Sequence, residues 1–259
     1  MADCCSNGRC TGHIPLKKII EECDRLFNLE KKDELGDHLR FWRRRAVEMG
    51  DKKGELSLLS EMMGHYRMER DESRGIAAVR DGLALIDELQ LNESAGAGII
   101  YINAGTALQS FGYSDQALSC YKKAENCCRC NLQAGDERFA ALFNNMASAY
   151  IDSGLFEQAE QYYFQAAEIL KSSGNLMDLA VTYVNLAQLY DALDPEDGKI
   201  EKYLDLAFAC FDDESVQRNG YYAHTCRKCA SAFGYFGRFT DETELQKRAD
   251  DFYAGAETI

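Results

Sequence analysis

The chain has little proline. Only Pro15 and Pro195 occur among its 259 residues, so locked φ angles and missing N–H donors interrupt helices at two places at most. No apolar run approaches the ~20 residues needed to span a bilayer. The opening Met1-Ala2-Asp3-Cys4-Cys5 lacks the basic and apolar regions of a secretory signal. A cytoplasmic protein without a membrane partner is expected. Positive charge is also scarce, with 29 Lys+Arg against 43 Asp+Glu and a formal net charge of −14. Nucleic acid and anionic membranes would be repelled, so neither is expected as a direct partner. The local exception, Arg40, Arg43, Arg44 and Arg45, lies in a helical stretch and reads as a solvated helix face.

Signatures of catalysis are missing too. The chain has no glycine-rich phosphate loop, no Gly-x-Ser-x-Gly and no His-Glu-x-x-His. The segment from Asp194 to Gly198 fails the calcium-loop spacing, because its glycine falls at the fifth place and not the sixth. No enzymatic activity, metal or cofactor is expected. Eleven cysteines are present, an odd number in a long chain, and are expected as reduced thiols.

What is there is a core and a repeat. Apolar residues make up 46% of the chain, enough for a sizeable core and against disorder. From Asn103 to Asn145, Gly112 to Gly154, Ala117 to Ala159, Tyr121 to Tyr163 and Ala124 to Ala166 the offset is 42 residues each time, without a gap. Run backwards, the offset reaches Tyr66, Gly75, Val79 and Gly82. Forwards, offsets of 40 and then 43 reach Asn185, Ala187 and Tyr190, then Ala230, Phe233 and Gly237, with Leu204 and Ala207 in register after the turn Asp194-Pro195-Glu196-Asp197-Gly198.

Each unit reads as two helices. The first carries a small residue (Gly105, Ala147, Ala187, Ala230) three places before a large one (Leu108, Tyr150, Tyr190, Phe233). A helix-ending glycine follows at Gly112, Gly154 or Gly237. The second helix sets Ala117, Tyr121 and Ala124, or Ala159, Tyr163 and Ala166, on one face. Alanine or glycine lets helix backbones approach, and the aromatic fills the space beside it. One such pair cannot bury its face alone, but a stacked neighbour can.

This pattern resembles the tetratricopeptide repeat family, most clearly in Asn-Met-Ala-Ser-Ala-Tyr at 145–150 and Asn-Leu-Ala-Gln-Leu-Tyr at 185–190. The spacing near 42 departs from that family's usual 34 and is similar to the subset found in kinesin light chains and bacterial peptide-sensing regulators. The expected fold is all-α, a right-handed α-solenoid of about six antiparallel helix pairs. A flexible Cys-containing tail at 1–13 precedes a single solenoid domain at 14–259, with repeats near 14–50, 53–92, 94–132, 136–174, 175–213 and 217–254. The first segment, with its Phe41-Trp42 pair, matches poorly, as a terminal repeat with one wet face does.

The resemblance implies that the first helix of every pair lines a concave surface. Two places before each small residue stand Asn103, Asn145 and Asn185, and then Lys228. An asparagine amide offers a donor and an acceptor, so a row of them can grip the backbone of an extended peptide without reading its sequence. The same amides can instead bond to the adjacent repeat as packing glue, and the two roles are compatible. Neighbouring pockets are expected from Ile102, Thr106, Gln109 and Ser110, from Asn144, Ser148, Ile151 and Asp152, and from Val184, Gln188 and Asp191. His224, Arg227, Lys228, Ser231 and Tyr235 close the series, and the basic His224, Arg227 and Lys228 suit a carboxylate.

The expected function is therefore non-catalytic: a scaffold, adaptor or peptide sensor that binds a peptide or protein segment. Without an evident DNA-binding module, a role in transcription would require a partner protein. One alternative is a zinc or thiol module using Cys4, Cys5, Cys10 and His13 with His224-x-Cys226-x-x-Cys229. In the repeat register, however, Cys226 and Cys229 fall on apolar core positions, where a free thiol packs as a small hydrophobe. Cys127-Cys128-Arg129-Cys130 reads as the end of a second helix at a wet turn, open to redox or metal chemistry. Another alternative is self-assembly into a homo-oligomer through the groove or the end caps.

Overall fold

The computed structural model describes residues 12–29, 31–194 and 198–256. Cys4, Cys5 and Cys10, and the part of the predicted turn at Pro195-Glu196-Asp197, lie outside the described residues. Among the described residues there are twelve helices and no strand, an all-α helical repeat fold of antiparallel pairs. Two compact units are present, Met1–Leu132 and Gln133–Ile259. The first holds α1 (Leu16–Asn28), α2 (Lys32–Met49), α3 (Lys52–Met68), α4 (Glu72–Glu88), α5 (Ala95–Ser110) and α6 (Ser114–Asn131). The second holds α7 (Glu137–Asp152), α8 (Phe156–Ser173), α9 (Leu176–Leu193), α10 (Lys199–Asp212), α11 (Gly220–Tyr235) and α12 (Phe239–Ala256).

From α3 onward the first helices of the pairs start at side-chain caps, whereas α1 starts at Pro15 without one. Asp51, Ser94, Asp136, Asn175 and Asn219 each accept a hydrogen bond from a backbone N–H two or three residues on, at Gly54, Ala97, Arg138, Asp178 and Tyr222. The turns inside the pairs are closed by backbone bonds, with Asp71 also capping α4 through its side chain. Asp71, Tyr113, Leu155 and Arg238 donate their N–H to the carbonyls of Tyr66, Leu108, Tyr150 and Phe233, the large residues of the repeat register. The residue before the donor is left-handed at Gly112 (φ 86°), Gly154 (71°) and Gly237 (78°). In the equivalent turn after α3, Arg70 adopts φ 55° at the place where the others have glycine.

The small-then-large rule explains the packing. A Cβ added to Gly105 would lie 2.5 Å from the Tyr121 ring, so only glycine admits that aromatic between α5 and α6. Ala117, Ala124, Ala147, Ala159, Ala166, Ala187, Ala207 and Ala230 are all buried, with Tyr121, Tyr163 and Tyr190 beside them. Within the first unit α3 lies against α5. Within the second, α7, α9 and α11 adjoin in order and so present a shared face of first helices.

Cys127 and Cys128, expected at a wet helix end, are buried instead. They are 1% and 9% exposed, and the Cys127 thiol donates to the Asn92 carbonyl at 3.0 Å. The face that α6 turns inward continues to its last turn, which leaves Cys130 as the exposed thiol of the three. Burial raises the Cys127 pKa above that of an ordinary thiol.

Candidate functional site

In the second unit the faces of α7, α9 and α11 enclose a groove of about 440 Å³. From α7 come Ala141, Asn144, Asn145, Ser148, Ile151 and Asp152, and from α9 Asp178, Val181, Asn185 and Gln188. Lys228 of α11 stands at the edge, and Tyr163 reaches in from α8. The lining residues of α7 recur every three or four positions, which places them on one face of that helix.

The amides in this groove divide into two kinds. Asn144 is committed to the fold: its Nδ2 donates to the Ala140 carbonyl at 3.1 Å and to Thr182 Oγ1 at 2.9 Å. Its Oδ1 accepts from Asn185 Nδ2 at 3.2 Å, so these side chains join α7 to α9. Asn145, Gln188 and Lys228 also line the groove, and none of them has a side-chain hydrogen bond or ion pair among the described residues. The half-buried Asn145 and the exposed Gln188 and Lys228 thus leave their polar groups available to a ligand. The acidic groups are partly engaged. Asp178 accepts from Asn175 Nδ2 at 3.0 Å and from the Tyr221 hydroxyl. Burial, reinforced by the charge of Asp152, raises the Tyr163 pKa, so this hydroxyl stays protonated and can donate.

The other predicted residues are placed differently. In the first unit Asn103 Nδ2 donates to Ser60 Oγ at 2.8 Å, joining α5 to α3. Thr106 Oγ1 donates to the Ile102 carbonyl at 2.8 Å and Ser110 Oγ to the Ala107 carbonyl at 2.8 Å, while Gln109 Oε1 accepts from Tyr121 at 3.1 Å. These polar groups are spent on local and inter-helix bonds. Val184 is buried, and Asp191 accepts from the Tyr235 hydroxyl at 3.0 Å. His224, Arg227 and Lys228 do not act as one basic spot. Arg227 lies over the Tyr253 ring, 4.5 Å from its centroid, and pairs with Asp250 at 3.0 Å. The physical reason lies in the neighbours. In α7 the corresponding Asn144 meets Thr182 of the next first helix, whereas beyond α11 the described residues offer only α12. His224 and Ser231 are exposed and are not among the groove's lining residues.

Cys226 and Cys229 are buried in the core while His224 is exposed. Burial pushes the Cys229 thiol up to about 12 and raises Cys226 as well, which disfavours the thiolate that binds metal or attacks disulfides. Sequence reasoning missed Ala141, Val181 and Asp178, which lie one or two helical turns before Asn145 and Asn185 on the same faces. Extending the face by those turns would have found them. Tyr163 was legible only as a core residue.

These features define an α-helical repeat protein with an open groove on its first helices. Residues 140–172, running from α7 into α8, match the tetratricopeptide repeat family model, and the fold is of the tetratricopeptide type. BtubC (BKLC) from P. vanneervenii shares it with TM-score 0.55 and 20% identity, over 95% of this chain and 94% of that one. The TPR-like repeats of a kinesin light chain from Podospora anserina align with TM-score 0.56 and 14% identity, over 79% and 97%. A Rap protein complexed with competence and sporulation factor aligns with TM-score 0.53 and 15% identity, over 92% and 74%. No curated protein sequence matches the chain. No described helix is long and apolar enough to cross a membrane.

Proposed function

We propose that the protein is a non-catalytic binding module, a scaffold, adaptor or peptide sensor, that holds an extended peptide or protein segment in the groove of α7, α9 and α11. The observation that carries this reading is the set Asn145, Gln188 and Lys228, polar groups that line the groove and have no side-chain hydrogen bond or ion pair among the described residues. Asn145 and Gln188 offer both donors and acceptors to a peptide backbone, and Lys228 offers a cation to a carboxylate. Asn185 contributes its carbonyl and the second N–H of an NH₂ that donates once to Asn144. The Rap protein of the same fold, whose structure contains competence and sporulation factor, supports a binding role by analogy of fold.

Each such hydrogen bond contributes about 1 kcal/mol, or roughly fivefold in affinity. The test is capture from native lysate by wild type and by Asn145→Ala/Gln188→Ala/Lys228→Glu. We expect unchanged melting and roughly hundredfold weaker retention of the partner by the triple variant. Equal retention by a folded variant would exclude this groove as the recognition surface.

A further inference from the structure

A second groove, in the first unit, has a basic lining, whereas the protein as a whole is acidic. It encloses about 430 Å³ between α2, α3 and α4, and its lining contains Arg40, Arg43, Arg44, Val47, Met62, Tyr66 and Arg74. Four of these are arginines and none is a carboxylate, in a chain whose formal net charge is −14. The α2 contribution follows the spacing i, i+3, i+4, i+7, so Arg40, Arg43, Arg44 and Val47 share one helix face. On an ordinary packed helix that face is apolar.

The arginines differ in what holds them. Arg43 is part of the scaffold, pairing with Asp81 at 2.7 Å and Glu55 at 3.3 Å and so tying α2 to α4 and α3. Arg40 pairs with Asp37 at 2.7 Å and also meets the Tyr66 hydroxyl, and Arg74 pairs with Asp71 at 3.1 Å; both are i, i+3 ion pairs, weak and readily exchanged. Arg44 is exposed and has no hydrogen bond or ion pair among the described residues. Between them Val47 is 56% exposed, above a floor of buried Met62 and Tyr66.

We infer that this groove docks an acidic linear segment of a partner protein, one that seats an apolar side chain on Val47, Met62 and Tyr66 and sets carboxylates against Arg44, Arg40 and Arg74. The choice of occupant rests on charge complementarity. Planar guanidinium groups match carboxylates bidentately, and an apolar floor beside them selects a mixed acidic and apolar segment over a bare anion. A polyphosphate would meet the same arginines but leave the exposed Val47 side chain uncovered. The site is separate from the α7–α9–α11 groove and does not depend on that reading.

The experiment is selection of a displayed random-peptide library on the full-length protein, with counter-selection on Arg44→Glu, followed by fluorescence anisotropy of the enriched peptides. Arg44 has no hydrogen bond or ion pair among the described residues and Val47 is largely exposed, so Arg44→Glu and Val47→Asp are expected to keep the wild-type melting temperature. Enriched peptides are expected to combine Asp or Glu with a Leu- or Phe-like residue. They should bind each variant about tenfold or more weakly, weaken with added salt, and bind Asn145→Ala/Gln188→Ala/Lys228→Glu as they bind wild type. The proposal is overturned if selection yields no Arg44-dependent peptide or if dependent peptides lack the acidic excess. Arg44-dependent binding of phosphatidylserine vesicles or a 20-nucleotide RNA in preference to those peptides overturns it as well.

Discussion

At the scale of single residues, neighbouring asparagines on one helix do different work. Asn144 makes three hydrogen bonds that join α7 to α9, while Asn145 beside it makes none among the described residues. Removing Asn144 would leave Thr182 and Asn185 short of a partner, with Thr182 fully buried. Asn144→Ala is therefore expected to cost about 1–2 kcal/mol, read from urea melts. Asn145→Ala should stay within about 0.5 kcal/mol of wild type, as a half-buried substitution that breaks no bond does. Equal losses in the two variants would show that Asn145 also holds the fold together. Sequence pattern identified both residues as inner-face amides, because that depends only on helical period. Which of them is consumed by packing depends on Thr182, 38 residues away and opposite in space.

At the scale of elements, the seam between α2 and α3 carries a titratable group that repeat spacing did not mark. His65 is 6% exposed and lies against Gly36, where an added Cβ would come within 2.7 Å of its Nε2. Burial is the main cause that holds its pKa below the ordinary 6.5; Arg40 and Arg74 push the same way, while Glu69 and Asp71 oppose. The folded-state pKa is depressed, so as pH falls the unfolded chain takes the proton first. The stability associated with neutral His65 is present above about 6.5 and is lost as pH falls through the folded value. Urea midpoints measured from pH 7 to pH 5 should fall in wild type and fall less steeply in His65→Gln. Parallel slopes would assign the acid sensitivity to other groups. The glycine-marked turns at 112, 154 and 237 were legible because a left-handed C-terminal residue favours glycine. The same turn at Arg70 was not, because no glycine marks it, although the bond from Asp71 to Tyr66 closes it as its counterparts close the others.

At the scale of the whole molecule, charge is the property that composition reports best. With 43 acidic and 29 basic side chains, the protein is expected to leave a duplex DNA probe unshifted in a gel at physiological ionic strength. A salt-sensitive shift would show that the arginine groove overrides the net charge. Composition could not locate that groove. Arg40, Arg43 and Arg44 stand together in the sequence, but Met62, Tyr66 and Arg74 join them only when α3 and α4 pack beside α2.

The sequence by itself determined the helices, their pairing and the small and aromatic residues that pack them. These follow from a 3.6-residue period and a repeat offset, both local properties of the chain. Tertiary structure alone decided which inner-face groups remain available to a ligand. A polar side chain is free or bonded according to what the neighbouring helix presents. Asn103 is therefore held by Ser60 and Arg227 by Asp250, while Asn145, Gln188 and Lys228 line the groove without a side-chain hydrogen bond or ion pair among the described residues.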